Sequence, residues 1–159
     1  TTRLLIVDDN ARTRALLEAA ARSSALFAQV TSAKDGQDAL ELLQRVAQGD
    51  PAALPDVVVT DLYMPDFSGA ELVGALRGDP VLAGIRRVVI SEWDGPAERN
   101  ACHRAGCHAF FKKPPAGESL QPIIRALAAG CDASRAAAAP PAGAGAMQPA
   151  AQSESASSG

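Results

Sequence analysis

No apolar run in this 159-residue chain approaches the roughly 20 residues that a membrane-spanning helix needs. Nor does the chain open on a charged and then apolar leader; it runs straight into the strand-like RLLIV of residues 3–7. A cytoplasmic location without a membrane partner is the expectation. A basic patch is missing as well. Its 15 Lys and Arg residues are scattered and outnumbered by 18 Asp and Glu, for a net charge of -3. That excludes the clustered positive face of a nucleic-acid binder. Cysteine is scarce, at three residues, and an odd count fits reduced thiols rather than a disulfide framework.

What is present alternates. Short apolar runs at Leu4–Val7, Phe27–Val30, Val57–Thr60, Arg87–Ile90 and Ala109–Phe111 have the length and composition of strands. Phe27–Val30 is the least regular and is expected at a sheet edge. Between the runs lie helical stretches at Ala11–Ala21, Gln37–Ala47, Ala70–Leu76, Ala97–Ala105 and Ser119–Ala129. Asn10 is placed to cap the first of them. Gly106 follows the fourth and Gly130 the fifth, where a stop is expected. Five βα units of this kind predict a doubly wound α/β fold with a five-stranded parallel sheet covered on both faces. The Pro-containing loop Gly49–Asp56 reads as a surface insertion away from the chemistry. From Cys131 the chain turns to Ala, Pro, Gly, Ser and Gln. The division is therefore a folded domain over 1–130 and a disordered tail or linker over 131–159.

Polar residues follow the apolar runs directly. LLIV ends in Asp8-Asp9, VVVT in Asp61, VVI in Ser91 and AFF in Lys112-Lys113. In an open parallel sheet, ligands bind beyond the carboxyl ends of the strands, which is where these residues fall. Taken singly, an Asp pair or Asp61 is more often a helix cap or a solvated turn. Together, clustered carboxylates repel and call for a counter-cation. Mg²⁺ suits them as a hard ion bound by carboxylates, a carbonyl and water. A lysine opposite supplies a second positive charge, so the cluster suits bringing a phosphoryl group beside an Asp.

The segments LLIVDDN, VVVTDLYMPDFSGAEL, VVISE and AFFKKP, in that order, resemble the bacterial response-regulator receiver family of two-component signalling, from about Arg3 to Ala129. The stretch from Asp61 through Met64-Pro65 to Gly69 is the most diagnostic. The resemblance implies a flavodoxin-like (βα)5 fold with strand order 2-1-3-4-5. It implies that Asp61 accepts a phosphoryl group from the phospho-histidine of a histidine kinase or phosphotransfer protein. Asp8, Asp9, Asp61 and the backbone carbonyl of Tyr63 would hold Mg²⁺, Asp8 through water. Lys113 would pair with phosphoryl oxygens. Ser91 would move toward them and Phe110 would turn inward behind it. The Lys113–Pro114 bond would be cis. The output would be a changed protein-binding face for a downstream effector domain or protein, with homodimer pairing one use of that face. Such a chain is a switch with slow autodephosphorylation, not an enzyme turning over a separate substrate, and the segment after the last helix suits a link to an effector.

Some residues depart from the pattern. Glu92 stands where a small residue is usual, and Pro115 where an aromatic is frequent. Tyr63 and Trp93, each two residues past a site residue, are bulky enough to shield an acyl phosphate from water. Lys112 is read as a surface residue, and Phe110 could serve as plain core. Cys102, His103, Cys107 and His108 invite a metal reading, but their spacing matches neither a zinc pair nor haem attachment. Two rival functions stand beside the switch. An Asp-nucleophile phosphatase would carry a second acid two residues after its nucleophile, and the first-strand pair is followed by Asn10 instead. A receiver-like binding module that takes no phosphate would have lost the acids or the lysine, and all are present.

Overall fold

The computed structural model describes residues 2–138. Its elements are β1 (Arg3–Val7), α1 (Ala11–Ser24), β2 (Gln29–Ala33), α2 (Gly36–Gly49), a 3₁₀ turn (Pro51–Ala53), β3 (Val57–Asp61), α3 (Gly69–Gly78), β4 (Arg86–Ser91), α4 (Pro96–Ala105), β5 (Ala109–Lys112) and α5 (Gln121–Ala138). The strands form one parallel sheet in the order β2-β1-β3-β4-β5, as the family resemblance implied.

The alternation of side chains along β1 and β3 builds the two layers of the core. Leu4, Ile6, Val57 and Val59 turn to one face and meet Leu17 and Ala21 of α1 and Ile124 and Leu127 of α5. Leu5, Val7 and Val58 turn to the other and meet Ala39 and Leu43 of α2 and Leu72 and Leu76 of α3. Strands covered on both faces read as unbroken apolar runs, which is why LLIV and VVV were visible.

Local chemistry sets the helix ends. Asn10 Oδ1 accepts from the Thr13 N–H at 3.0 Å and starts α1 where expected. Ser68 and Glu71 form a reciprocal capping box that starts α3. Gly106, at φ 97°, closes α4 by donating to the Cys102 and His103 carbonyls.

Two sequence expectations shift. The second strand is Gln29–Ala33, not Phe27–Val30. Among the described residues it pairs only with β1, in the register Arg3↔Gln29, so it needs no continuous apolar run. Phe27 packs on the core from just before the strand, and Ala28 donates to the Thr2 carbonyl. The second change is at Gly130, which does not stop the last helix; α5 runs through it to Ala138. A Cβ at Gly130 would lie 2.7 Å from Arg86 Nη2 and 2.8 Å from Arg86 Cζ. The glycine makes room for a guanidinium. The rest of the expected tail, residues 139–159, lies outside the described residues. The 49–56 loop, with its 3₁₀ turn, leads into the amino end of β3, opposite the polar strand ends.

Candidate phosphoacceptor and metal site

At the carboxyl edge of the sheet, β1 and β3 are adjacent, so Asp8, Asp9 and Asp61 meet there. One carboxylate oxygen from each lies within 4.8 Å of the others. Asp8 is fully buried; its Oδ1 accepts the Asn10 N–H at 2.9 Å and its carbonyl accepts from Arg14 at 2.6 Å. These bonds fix Asp8 at the base of the site, while Asp9 reaches solvent. Asp61 ends β3, and its Oδ1 accepts the Leu62 N–H at 3.0 Å. Lys113, just past β5, places Nζ 3.2 Å from Asp8 Oδ2 and 3.3 Å from Asp61 Oδ1. Its N–H donates to the Ser91 carbonyl at 2.8 Å, which continues the β4–β5 ladder and aims the side chain inward.

The electrostatics are unbalanced. The Asp61 carboxyl is pushed from its ordinary 3.8 up to about 6, chiefly by burial; Lys113 opposes this, while the charges of Asp8 and Asp9 add to it. Burial works against the Lys113 ammonium, but Asp61 and Asp8 outweigh it and raise its pKa. Both partners of the bridge are thus raised: at Asp61 burial and the neighbouring acids outweigh the lysine, and at Lys113 the two acids outweigh burial. Three carboxylates against one lysine leave two negative charges uncompensated. Oxygen donors this close, with that residual charge, fit a hard divalent cation such as Mg²⁺.

The remaining candidates surround this centre. Ser91 is buried, and its hydroxyl accepts the Trp93 N–H at 3.1 Å. Phe110 is half-buried on β5, with the Arg99 guanidinium 4.9 Å from its ring centroid. Tyr63 is 54 % exposed at the mouth, and its hydroxyl donates to Glu98 on α4. Trp93 is 64 % exposed. A cleft of about 1220 Å³ opens over Asp9 and Asp61, lined also by Tyr63, Glu92, Lys113 and Leu16. Glu92 therefore flanks the entrance without filling it.

One implied feature is corrected. The described residues contain no cis peptide bond, so Lys113–Pro114 is trans. The two isomers of an X–Pro bond differ by only about 0.5–1 kcal/mol, and here the trans chain already carries Lys113 to both acids. The Cys/His cluster gathers no metal site: among the described residues, Asp8, Asp9 and Asp61 are the grouping that could hold an ion. His108 is instead tied to the sheet, its Nδ1 accepting the Arg87 N–H at 2.9 Å.

Sequence reasoning missed several supports. Arg14 on the Asp8 carbonyl, Glu98 on Tyr63 and Arg99 on Phe110 are tertiary pairings with no local signature. Gly69 was visible in the motif, but not its reason. The glycine N–H donates to the Leu62 carbonyl, and its Cα packs against the Asp61 backbone too closely to admit a side chain.

Known proteins bear on this arrangement. The response regulator receiver domain family matches residues 4–125. The two-component response regulator ORR4 of Oryza sativa subsp. indica is 33% identical over 124 residues, covering 70% of this chain and 53% of the relative. The response regulator PleD of Caulobacter vibrioides is 32% identical, covering 79% of this chain and 26% of PleD. The chain thus spans about half of the rice protein and about a quarter of PleD. Among solved structures, the Vibrio cholerae chemotaxis protein CheY4 superposes with a TM-score of 0.67 at 23% identity, covering 80% of this chain and 98% of that one. With the strand order, the acidic cluster and the family match in agreement, the chain belongs to the response regulator receiver domain family, whose members are signalling switches rather than substrate-turnover enzymes.

Proposed function

We propose that this domain is a phosphorylation-activated switch that takes a phosphoryl group onto Asp61 with Mg²⁺. The observation that carries the reading is the meeting of three strand-end carboxylates with Lys113 across from them, 3.3 Å from Asp61 Oδ1. An Asp61 oxygen attacks the phosphorus of a phospho-histidine in line, the P–N bond breaks, and the histidine leaves as an acyl phosphate forms. Asp8, Asp9, Asp61 and the Tyr63 carbonyl would hold Mg²⁺, which supplies charge neutralisation for the phosphoryl oxygens. Lys113 exchanges its bond to Asp61 for one to a phosphoryl oxygen.

The new group brings about two negative charges and three acceptor oxygens. Ser91 leaves the Trp93 N–H to donate to it. Phe110 then turns inward, and in doing so gives up its contact with Arg99, worth about 0.5–1 kcal/mol at such a site. That contact biases the resting state and is small enough for a phosphoryl group to overcome. The partners on this reading are a histidine kinase or phosphotransfer protein and a downstream effector, with self-pairing as a further use of the output face. The domain would occupy roughly residues 1–130, with the Ala/Pro-rich remainder as tail or linker, and would work in the cytoplasm.

Acetyl phosphate with Mg²⁺ is expected to add one phosphoryl group by intact mass. None should add after chelation or in Asp61→Asn. Phosphorylation that persists in Asp61→Asn would reject the assignment. Turnover of phosphate esters without a stable phospho-form would point to a phosphatase instead.

Tyr63 lines the cleft over Asp61 and is pinned to α4 by Glu98, and Trp93 stands exposed two residues past Ser91. On this reading they keep water from the acyl phosphate. Replacing both with Ser is expected to speed phosphate loss several-fold in a timed mass assay; an unchanged decay rate would show that they do not shield it.

A further inference from the structure

The end of α4 holds a second reactive grouping, separate from the acidic site. Cys102 lies in the last turn of α4 and Cys107 stands just past Gly106. Gly106, in the left-handed region, and Cys107 both donate to the Cys102 carbonyl at 3.1 Å, folding the chain back on itself. In such a closure, the residue three positions inside the helix end touches the second residue beyond it, and here both are cysteines. The two side chains share one packing cluster at this helix end. Cys102 is buried and Cys107 is partly open to solvent. Cys102 belongs to the cluster of Leu62, Val73 and Val89, against which Cys107 and Phe110 also pack.

We propose that Cys102 and Cys107 form a dithiol–disulfide pair, a modification site oxidised by hydroperoxides, that staples the end of α4 to the start of β5.

The chemistry follows from the asymmetry of the pair. The neighbouring Cys102 thiol, with Arg87 assisting, draws the Cys107 thiol below its ordinary value, while Cys102 is driven up. Cys107 is thus the more acidic thiol and the one that solvent reaches, as an attacking thiolate must be. Its sulfur attacks one oxygen of hydrogen peroxide. The O–O bond breaks, water leaves, and a sulfenic acid forms on Cys107. The Cys102 sulfur then attacks the Cys107 sulfur. The S–O bond breaks, the S–S bond forms, and the Cys102 proton leaves with the hydroxyl as a second water. Two thiols lose two hydrogens, and one peroxide becomes two waters. The staple lies in the packing layer that Phe110 shares.

The test uses the full chain, reduced, treated with hydrogen peroxide and quenched with N-ethylmaleimide. The expected product is two hydrogens lighter before alkylation and takes up one maleimide, at Cys131, out of three thiols. After trypsin, residues 100–104 and 105–112 should travel as one species until dithiothreitol separates them. Cys131→Ser should give the same linked pair with no free thiol. In Cys102→Ala, Cys107 should stop at sulfenic acid and be trapped by dimedone. If that variant fails to fold, the peptide map of the unaltered chain still decides. The proposal is overturned if Cys107 oxidises to the sulfinic acid while Cys102 stays alkylatable, if either cysteine links to Cys131 instead, or if all three thiols survive peroxide.

Discussion

Replacing Asp61 with Asn is expected to make the metal-free domain more stable, by about 1–3 kcal/mol at pH 7.5, while abolishing the phosphorylation proposed for it. The reason is the rise of the Asp61 carboxyl from 3.8 to about 6, caused first by burial and then by the neighbouring acids. A carboxyl whose pKa is raised by folding binds its proton more tightly in the folded state. Its ionisation therefore costs stability, about 1.36 kcal/mol for every pH unit that separates the folded and unfolded values. The cost is absent below pH 3.8, grows as pH rises toward 6 and is complete above it. This is the reverse of the usual salt-bridged Asp, because Lys113 is shared with Asp8 and cannot neutralise both. Urea unfolding of the two proteins with chelator present, at pH 4 and pH 7.5, checks it. The difference in stability between them should widen toward pH 7.5. An Asn variant less stable than the unaltered domain at pH 7.5 would show that the acids are not in conflict.

Gly69→Ala is expected to cost about 3 kcal/mol and to disturb Asp61 directly. A Cβ there would overlap the Asp61 carbonyl oxygen and lie 3.0 Å from Asp61 C and Leu62 Cα. Every one of these atoms is backbone, held by the Gly69 N–H bond to the Leu62 carbonyl at 2.8 Å, so no rotamer change relieves the clash. Either the start of α3 lifts or Asp61 moves. Gly74, on the same helix, has nothing within 4 Å of an added Cβ. Gly74→Ala should therefore stabilise the domain by about 0.5–1 kcal/mol through helix propensity alone. Urea titrations of the pair give the comparison. Equal stabilities for the two variants would mean that the close approach at Gly69 does not constrain the site.

How far the sequence could be read follows from where each signal is stored. β1, β3 and β4 are central and covered on both faces, so their apolar runs and the polar residues ending them were visible at once. The acids and Lys113 were legible for the same reason: a parallel sheet brings all its carboxyl ends to one edge. β2 lies at an edge and is built from Gln29, Val30, Thr31, Ser32 and Ala33, so the apolar Phe27 drew the strand two residues early. Gly130 looked like a stop, because glycine in sequence does not say whether it provides a left-handed turn or room for a neighbour. Gly106 does the first and Gly130 the second. The links from Tyr63 to Glu98 and from Arg99 to Phe110 join residues on different elements and leave no mark on local pattern.

The central claim is that Asp9 and Asp61 share one divalent ion with Lys113 opposite. Calorimetric titration of Mg²⁺ into the reduced domain at pH 7.5 tests it most directly. One saturable site is expected, weakened at least about tenfold in Asp9→Asn and again in Asp61→Asn, and unchanged in Glu41→Gln on the exposed face of α2. Heat of binding that persists in both Asp variants, or that is lost equally in Glu41→Gln, would contradict it.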